Sequence, residues 1–260
     1  MGSDPENISA IRRAKAGQFA ALRREGLKGE RAILLFPPGL EFVTAFLGCL
    51  SAGVIAVPAY PPDIARLDRT LPRLRAIARD CQASVMLTSA DIAAVAQSLL
   101  PLLPELAAAR VLVTDVSSAS EADGFIPRDF QASDIAFLQY TSGSTTEPKG
   151  VKITHGCLLA NSQAIARLGN HSEESIGVSW LPCYHDMGLI GGILAPLFSG
   201  FVGNLMSPIA FLKKPERWLR AISRLGGTTS PFPNFALDLC VRKVPEESLE
   251  QLDLSSWKIA

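Results

Sequence analysis

Short apolar runs of strand length, separated by segments of helical character, predict an α/β fold of mainly parallel sheets flanked by helices. Two observations carry this. The strand candidates are nearly continuous in apolar residues, as in Arg31–Phe36 (RAILLF), which marks strands covered on both faces. The segments between them place apolar residues one helical turn apart and end at glycine.

Taken in order, Ile8 to Glu25 has helical composition, with Gly26 suited to its C-terminal cap. Arg31 to Phe36 reads as a strand stopped by Pro37-Pro38-Gly39. Leu40 to Ala52 is a helix with Phe42, Phe46 and Leu50 on one face, closed by Gly53. Val54 to Val57 is a strand, Thr70 to Arg79 a helix and Ser84 to Thr88 a strand. Ala90 to Leu102 is helical, and Val111 to Thr114 is again a strand. The polar stretch Ser117 to Asp134 is a connecting loop. Strands at Ala136 to Tyr140 and Val151 to Ile153 follow, then a helix over Gly156 to Leu168 with Thr154 or His155 near its cap. Pro245 to Ser248 reads as a turn or short helix. Trp257 to Ala260 opens like a strand, as a chain cut from something longer would.

The 260 residues carry 25 Lys+Arg against 25 Asp+Glu, a formal net charge of zero that leaves no footprint for nucleic acid. With 48% hydrophobic and 19% charged residues, the chain is expected to fold around a core. Five cysteines (Cys49, Cys81, Cys157, Cys183, Cys240) form no C-x-x-C pair, which argues against a disulfide framework or zinc ribbon and for a reducing, cytoplasmic setting. The polar N-terminus lacks the apolar stretch of a signal peptide. Two uncharged runs, Phe42–Pro62 and Met187–Leu212, are so punctuated by glycine and proline that they read as short buried elements and not as transmembrane segments.

Chemistry concentrates in Tyr140 to Gly150, YTSGSTTEPKG. Five hydroxyls (Thr141, Ser142, Ser144, Thr145, Thr146) surround Gly143, and Lys149 and Gly150 lie beyond Pro148. Hydroxyls and free backbone N–H groups in a glycine turn can wrap phosphate oxygens, and a lysine adds a point charge. The same composition also suits a plain polar hairpin loop. It is not the phosphate loop of P-loop NTPases, because proline precedes the lysine and glycine follows it, where glycine and a hydroxyl residue are required. Nor does a G-x-S-x-G elbow surround Ser142 or Ser144.

The order T-S-G-S-T-x-x-P-K-G resembles the phosphate-binding loop of the adenylate-forming enzymes: acyl-CoA synthetases, nonribosomal adenylation domains and luciferases. Thr146 stands where glycine is more usual, as in the fatty acyl-AMP ligase branch, where that position varies. Further segments are similar to that branch. They are Val57–Pro62 (VPAYPP), Trp180–Gly192 (WLPCYHDMGLIGG), Ser207-Pro208 with Pro215, Arg217 and Trp218, and Pro233–Ala236 (PNFA). The resemblance runs from about Ile33 to Ala260.

The resemblance implies that Thr141, Ser142, Gly143, Ser144, Thr145 and Lys149 cradle the β- and γ-phosphates of ATP while a carboxylate attacks the α-phosphorus. Charge developing on the departing pyrophosphate needs donors already in place. It puts His185 beside the acyl carboxylate, where an imidazole could donate a hydrogen bond without being charged. It makes Asn234 and Ala236 candidate substrate contacts, and Gly188 to Phe201 a candidate acyl tunnel, although an α/β core needs the same apolar residues. Glycines 188, 191 and 192 allow close helix packing or room for a chain. Cys183 and Cys240 read as buried hydrophobes and not nucleophiles, and His155 and His171 as loop or cap residues.

The resemblance also implies that residues 1–260 are a partial N-terminal AMP-binding domain, with the C-terminal domain absent. The Mg2+-binding glutamate and the catalytic lysine would lie in the segments that follow. No metal ligand is assigned within the chain. The expected partners are a fatty acid and an acyl carrier protein or polyketide synthase carrier domain. A long-chain acyl-CoA ligase and a non-catalytic acyl-binding remnant stand as alternatives.

Overall fold

The computed structural model describes residues 22, 26–62, 66–114, 129–141 and 148–260. The predicted helix over Ile8–Glu25, apart from Leu22, and most of the predicted loop Ser117–Asp134 lie outside the described residues. The chain divides into two compact units, Met1–Leu158 and Leu159–Ala260.

The first unit is a six-stranded sheet. Its described elements are β1 (Arg31–Leu35), α1 (Leu40–Ala52), β2 (Ile55–Ala59), α2 (Leu67–Cys81), β3 (Val85–Thr88), α3 (Ala90–Leu99), β4 (Arg110–Val113), β5 (Ile135–Thr141) and β6 (Lys149–Thr154). The strand order is β4-β3-β1-β2-β5-β6, parallel throughout except for β6, which runs antiparallel to β5 at the edge. The mainly parallel sheet expected from the apolar runs is thus present, and its one antiparallel strand is joined through the hydroxyl-rich segment.

Helix α1 keeps its predicted bounds because both ends are punctuated. Gly53 adopts a left-handed φ of 74° and donates its N–H to the carbonyls of Cys49 and Leu50. Phe42 and Phe46 are buried, and Phe46 meets Phe137 of β5 edge-on at 5.4 Å. Leu50 is only half-buried; Cys49 takes the core position in the last turn, and burial pushes its thiol far up.

Strand β2 starts one residue later than predicted and runs through Pro58 to Ala59. It pairs along its whole length with β1, but Ala56↔Phe137 is its single register pair with β5. Backbone groups of alternate residues face the same neighbour, so Pro58, two positions on, brings no N–H to that seam. On the other flank, Thr88 Oγ1 donates to Leu35 O at 2.8 Å and ties the end of β3 to β1.

Helix α2 extends three residues before and two beyond the predicted Thr70–Arg79 span, with Pro72 in its second turn. Its buried residues Leu74, Ile77, Ala78 and Cys81 share a core cluster with Val57, Ala59, Leu138 and Tyr140. Arg75 Nε donates to both Glu105 oxygens at 3.0 and 3.1 Å, which holds that carboxyl down at about 2. Helical character after Ala90 passes at Leu100–Leu102 into a 3₁₀ turn. Helix α4 (His155–Leu168) follows β6 directly, capped by Thr154, whose Oγ1 accepts the Cys157 N–H at 3.1 Å. His155, the first residue of α4, stacks on Phe130 at 4.5 Å, and burial lowers its pKa against the opposing pull of Asp134.

The second unit holds β7 (Ile176–Ser179), a π-helix (Met187–Leu194) continuing into α5 (Ala195–Ser199), β8 (Val202–Leu205), α6 (Pro208–Lys213), α7 (Glu216–Leu225), α8 (Phe235–Lys243) and α9 (Glu246–Leu249). Strands β7 and β8 are parallel, and single bridges Gly177↔Thr229 and Thr229↔Ile259 widen the pair. The strand expected at Trp257–Ala260 is therefore one bridge and not a ladder among the described residues. The core is aromatic. Trp218 is fully buried and donates Nε1–H to Ser230 Oγ at 2.9 Å, and Trp180 stacks on Phe211 at 3.9 Å.

His171 packs edge-on against Phe201 at 5.0 Å, and neither ring nitrogen finds a hydrogen-bond partner among the described residues. Burial lowers its pKa. The unfolded chain takes up a proton through about pH 6.5, while the folded chain resists doing so. Stability is therefore expected to fall as pH drops below that value. His171→Phe is expected to flatten the fall in urea midpoint between pH 7.5 and 5.5. Parallel slopes for variant and wild type would refute the assignment.

Candidate active site

Two separate pieces of chain carry the candidate residues. The hairpin β5–β6 belongs to the first unit, and His185, Asn234 and Ala236 belong to the second.

In the hairpin, Tyr140 pairs with Gly150 and Thr141 with Lys149. A strand leads into the hydroxyl-rich segment and a strand leads out, as both the phosphate-cradle and the plain-hairpin readings require. Thr141 and Lys149 form the last described rung and are exposed. Ser142, Gly143, Ser144 and Thr145 lie outside the described residues. Side chains alternate along a strand, so Thr141 and Lys149 share one face of the sheet, while Tyr140 and Gly150 share the face covered by α2. There the Tyr140 ring lies flush under Gly150. A Cβ on that glycine would come within 2.8 Å of Tyr140 Cζ. Tyr140 Oη donates to Asp80 Oδ2 on α2 at 2.5 Å. No sequence pattern joins Tyr140 to a residue sixty positions earlier.

The segment after β7 is a chain of local bonds. Ser179 Oγ accepts the Leu181 N–H at 3.3 Å, Pro182 O the His185 N–H at 3.1 Å, and His185 O the Leu189 N–H at 2.8 Å. Asp186 caps the π-helix by accepting the Met187 N–H at 2.7 Å. The His185 side chain is 64% exposed, with Nδ1 2.6 Å from Asp186 Oδ1. The Met187 N–H is also directed at Nδ1, at 3.4 Å.

The π-helix was not foreseen. Its wide turn is seen where the Ala195 N–H reaches Ile190 O, five residues back. Such turns are rare and recur at functional sites. Gly188 and Gly192 serve close packing: an added Cβ would meet Pro182 O at 2.1 Å and Ser179 Oγ at 2.6 Å. Asn234 is exposed at the start of α8 and makes no side-chain cap. Ala236 is fully buried in the cluster of Trp180, Phe211 and Trp218, a place the core accounts for by itself. Cys183 and Cys240 are buried, and burial raises the pKa of Cys240. No helix among the described residues is long and apolar enough to cross a membrane.

Comparison with known proteins finds relatives along most of the chain. The chain is 44% identical over 240 residues to the medium-chain-fatty-acid–[acyl-carrier-protein] ligase JamA of Moorena producens, covering 92% of this chain and 40% of that one. It is 38% identical over 257 residues to the long-chain-fatty-acid–AMP ligase FadD32 of Mycolicibacterium smegmatis, covering 96% and 40%. A crystal structure of the fatty acyl-adenylate ligase from Legionella pneumophila, in complex with acyl adenylate and pyrophosphate, superposes with a TM-score of 0.83 at 41% identity. That match covers 94% of this chain and 42% of the other. The chain thus spans about two fifths of the length of these relatives. The family model for AMP-binding enzymes matches residues 13–260, and the chain belongs to that family.

Proposed function

We propose that the chain is the N-terminal part of a fatty acyl-AMP ligase, and that its β5–β6 hairpin presents the ATP phosphates to an incoming fatty acid. One observation carries this reading. The T-S-G-S-T-x-x-P-K-G run sits between two paired strands that hold Thr141 and Lys149 exposed on one rung. The likeness to ligases whose names specify fatty acid, AMP or acyl carrier protein supports it.

In the first half-reaction a carboxylate oxygen of the fatty acid attacks the α-phosphorus. The bond from that phosphorus to the bridging oxygen breaks, and pyrophosphate leaves with the electron pair. Lys149 and the loop hydroxyls of Thr141, Ser142, Ser144 and Thr145, with the Gly143 backbone, supply charge and donors to the leaving phosphates. His185, beside Asp186, holds the carboxylate by donating a ring N–H to it. Magnesium, when bound, would shield phosphate charge. In the second half-reaction a carrier-protein thiol attacks the acyl carbonyl and AMP departs. The five free cysteines support a cytoplasmic setting.

The test is fatty-acid-dependent ATP–pyrophosphate exchange without coenzyme A, by the complete ligase and by the 260-residue chain alone. Exchange is expected from the first and not from the second. A complete ligase that forms product only with coenzyme A would identify an acyl-CoA ligase. One that exchanges nothing with any fatty acid would overturn the reading. His185→Ala in the complete ligase is expected to raise KM for the fatty acid about tenfold, as loss of a charged hydrogen bond does, with KM for ATP unchanged. Unaltered fatty-acid kinetics would make His185 a solvated loop residue.

A further inference from the structure

We propose that Tyr140 and Asp80 are positioning residues for the phosphate loop: hydroxyl, ring and Gly150 together set where the two hairpin strands leave the sheet. The proposal rests on the adenylation reading above and adds residues on the face of the sheet away from Lys149.

The geometry gives each part a distinct task. Tyr140 is almost fully buried between β5 and α2, and its ring fills the place of the side chain that Gly150 lacks. The phenol reaches past that glycine to Asp80 near the end of α2. Burial first, and the bond to Asp80 second, push the phenol pKa far up, so the hydroxyl stays a donor. The next residue on each strand is Thr141 or Lys149, paired with one another and turned to the opposite face. A ring fixed on one side therefore fixes the rung that starts the loop on the other. Gly150 leaves room for this, because a Cβ there would press on the outer end of the Tyr140 ring and displace the ring or the strand. Asp80 is exposed, and its bond to Tyr140 gives this surface carboxylate a specific inward partner.

A role of this kind acts on the nucleotide and not on the fatty acid. In the complete ligase, Tyr140→Phe removes only the hydroxyl. It is expected to raise KM for ATP in pyrophosphate exchange about five- to tenfold and leave KM for fatty acid unchanged. Asp80→Ala is expected to match it. Asp80→Asn keeps an oxygen acceptor for the phenol and is expected to stay within about twofold of wild type. Because the two residues act through one bond, the Tyr140→Phe/Asp80→Ala double variant is expected to be no worse than either single one. Thermal melts of all four keep the comparison among folded proteins.

Additive losses, or equal changes in both KM values, would overturn the proposal and leave a merely structural bond. Unchanged ATP kinetics in Tyr140→Phe would overturn it also, while wild-type exchange left the adenylation reading intact. Absence of wild-type exchange would instead strike the adenylation reading, and this role with it.

Discussion

Lys149→Ala in the complete ligase is expected to slow fatty-acid-dependent ATP–pyrophosphate exchange by about 10- to 1000-fold, the range seen when a transition-state charge stabiliser is removed. The side chain is exposed on the last described rung of the hairpin, and its backbone is held by the pairing with Thr141. Truncation leaves that pairing untouched, so unfolding midpoints are expected to stay within about 0.5 kcal/mol of wild type. The loss belongs in kcat more than in KM for ATP, because negative charge on the leaving oxygens is greatest in the transition state. Lys149→Arg restores the charge but not the ammonium's shape, and is expected to recover only part of the rate. A Lys149→Ala enzyme that exchanges at the wild-type rate would return the segment to an ordinary polar hairpin loop.

What the sequence disclosed follows from how local each signal is. Helix α1 could be bounded to the residue because Pro37-Pro38-Gly39 precedes it and a left-handed Gly53 ends it. The two strands of the hairpin were legible because they flank one contiguous hydroxyl-rich run. The apolar run Val54–Val57 stops at Pro58, yet the strand continues through it to Ala59. The sheet accommodates Pro58 by thinning the β2–β5 seam to one register pair. The Tyr140–Asp80 bond spans sixty positions and leaves no periodicity to read. The π-helix was hidden because an apolar, glycine-rich run has no polar face from which to count a repeat. The motif points to His185, but its contact with Asp186 depends on where that carboxylate turns, which only coordinates show.

Gly188 is where that hidden π-helix makes its strongest demand. A methyl group there would sit 2.1 Å from Pro182 O, 2.9 Å from the Pro182 carbonyl carbon and 3.0 Å from Leu181 Cβ. The obstacle is mainly backbone, and it cannot retreat cheaply. The same Pro182 oxygen accepts the His185 N–H, and the His185 carbonyl in turn accepts the Leu189 N–H. Gly188→Ala must therefore break this ladder or unwind the first turn of the π-helix. We expect a loss of about 3 kcal/mol in urea unfolding, at the upper end of the usual cost of overpacking. Displacement of His185 is expected to accompany it and to raise KM for the fatty acid beyond the effect of His185→Ala alone. Gly191→Ala supplies the contrast. Its Cβ would meet only the Pro231 ring, at 3.3 Å, and a small shift of that ring relieves it. The helix-favouring backbone of alanine then offsets the contact, so Gly191→Ala is expected to lie within about 1 kcal/mol of wild type. Equal stability of the two variants would mean that the turn into the π-helix is not held against Pro182. Gly188 would then be there for room and not for close approach.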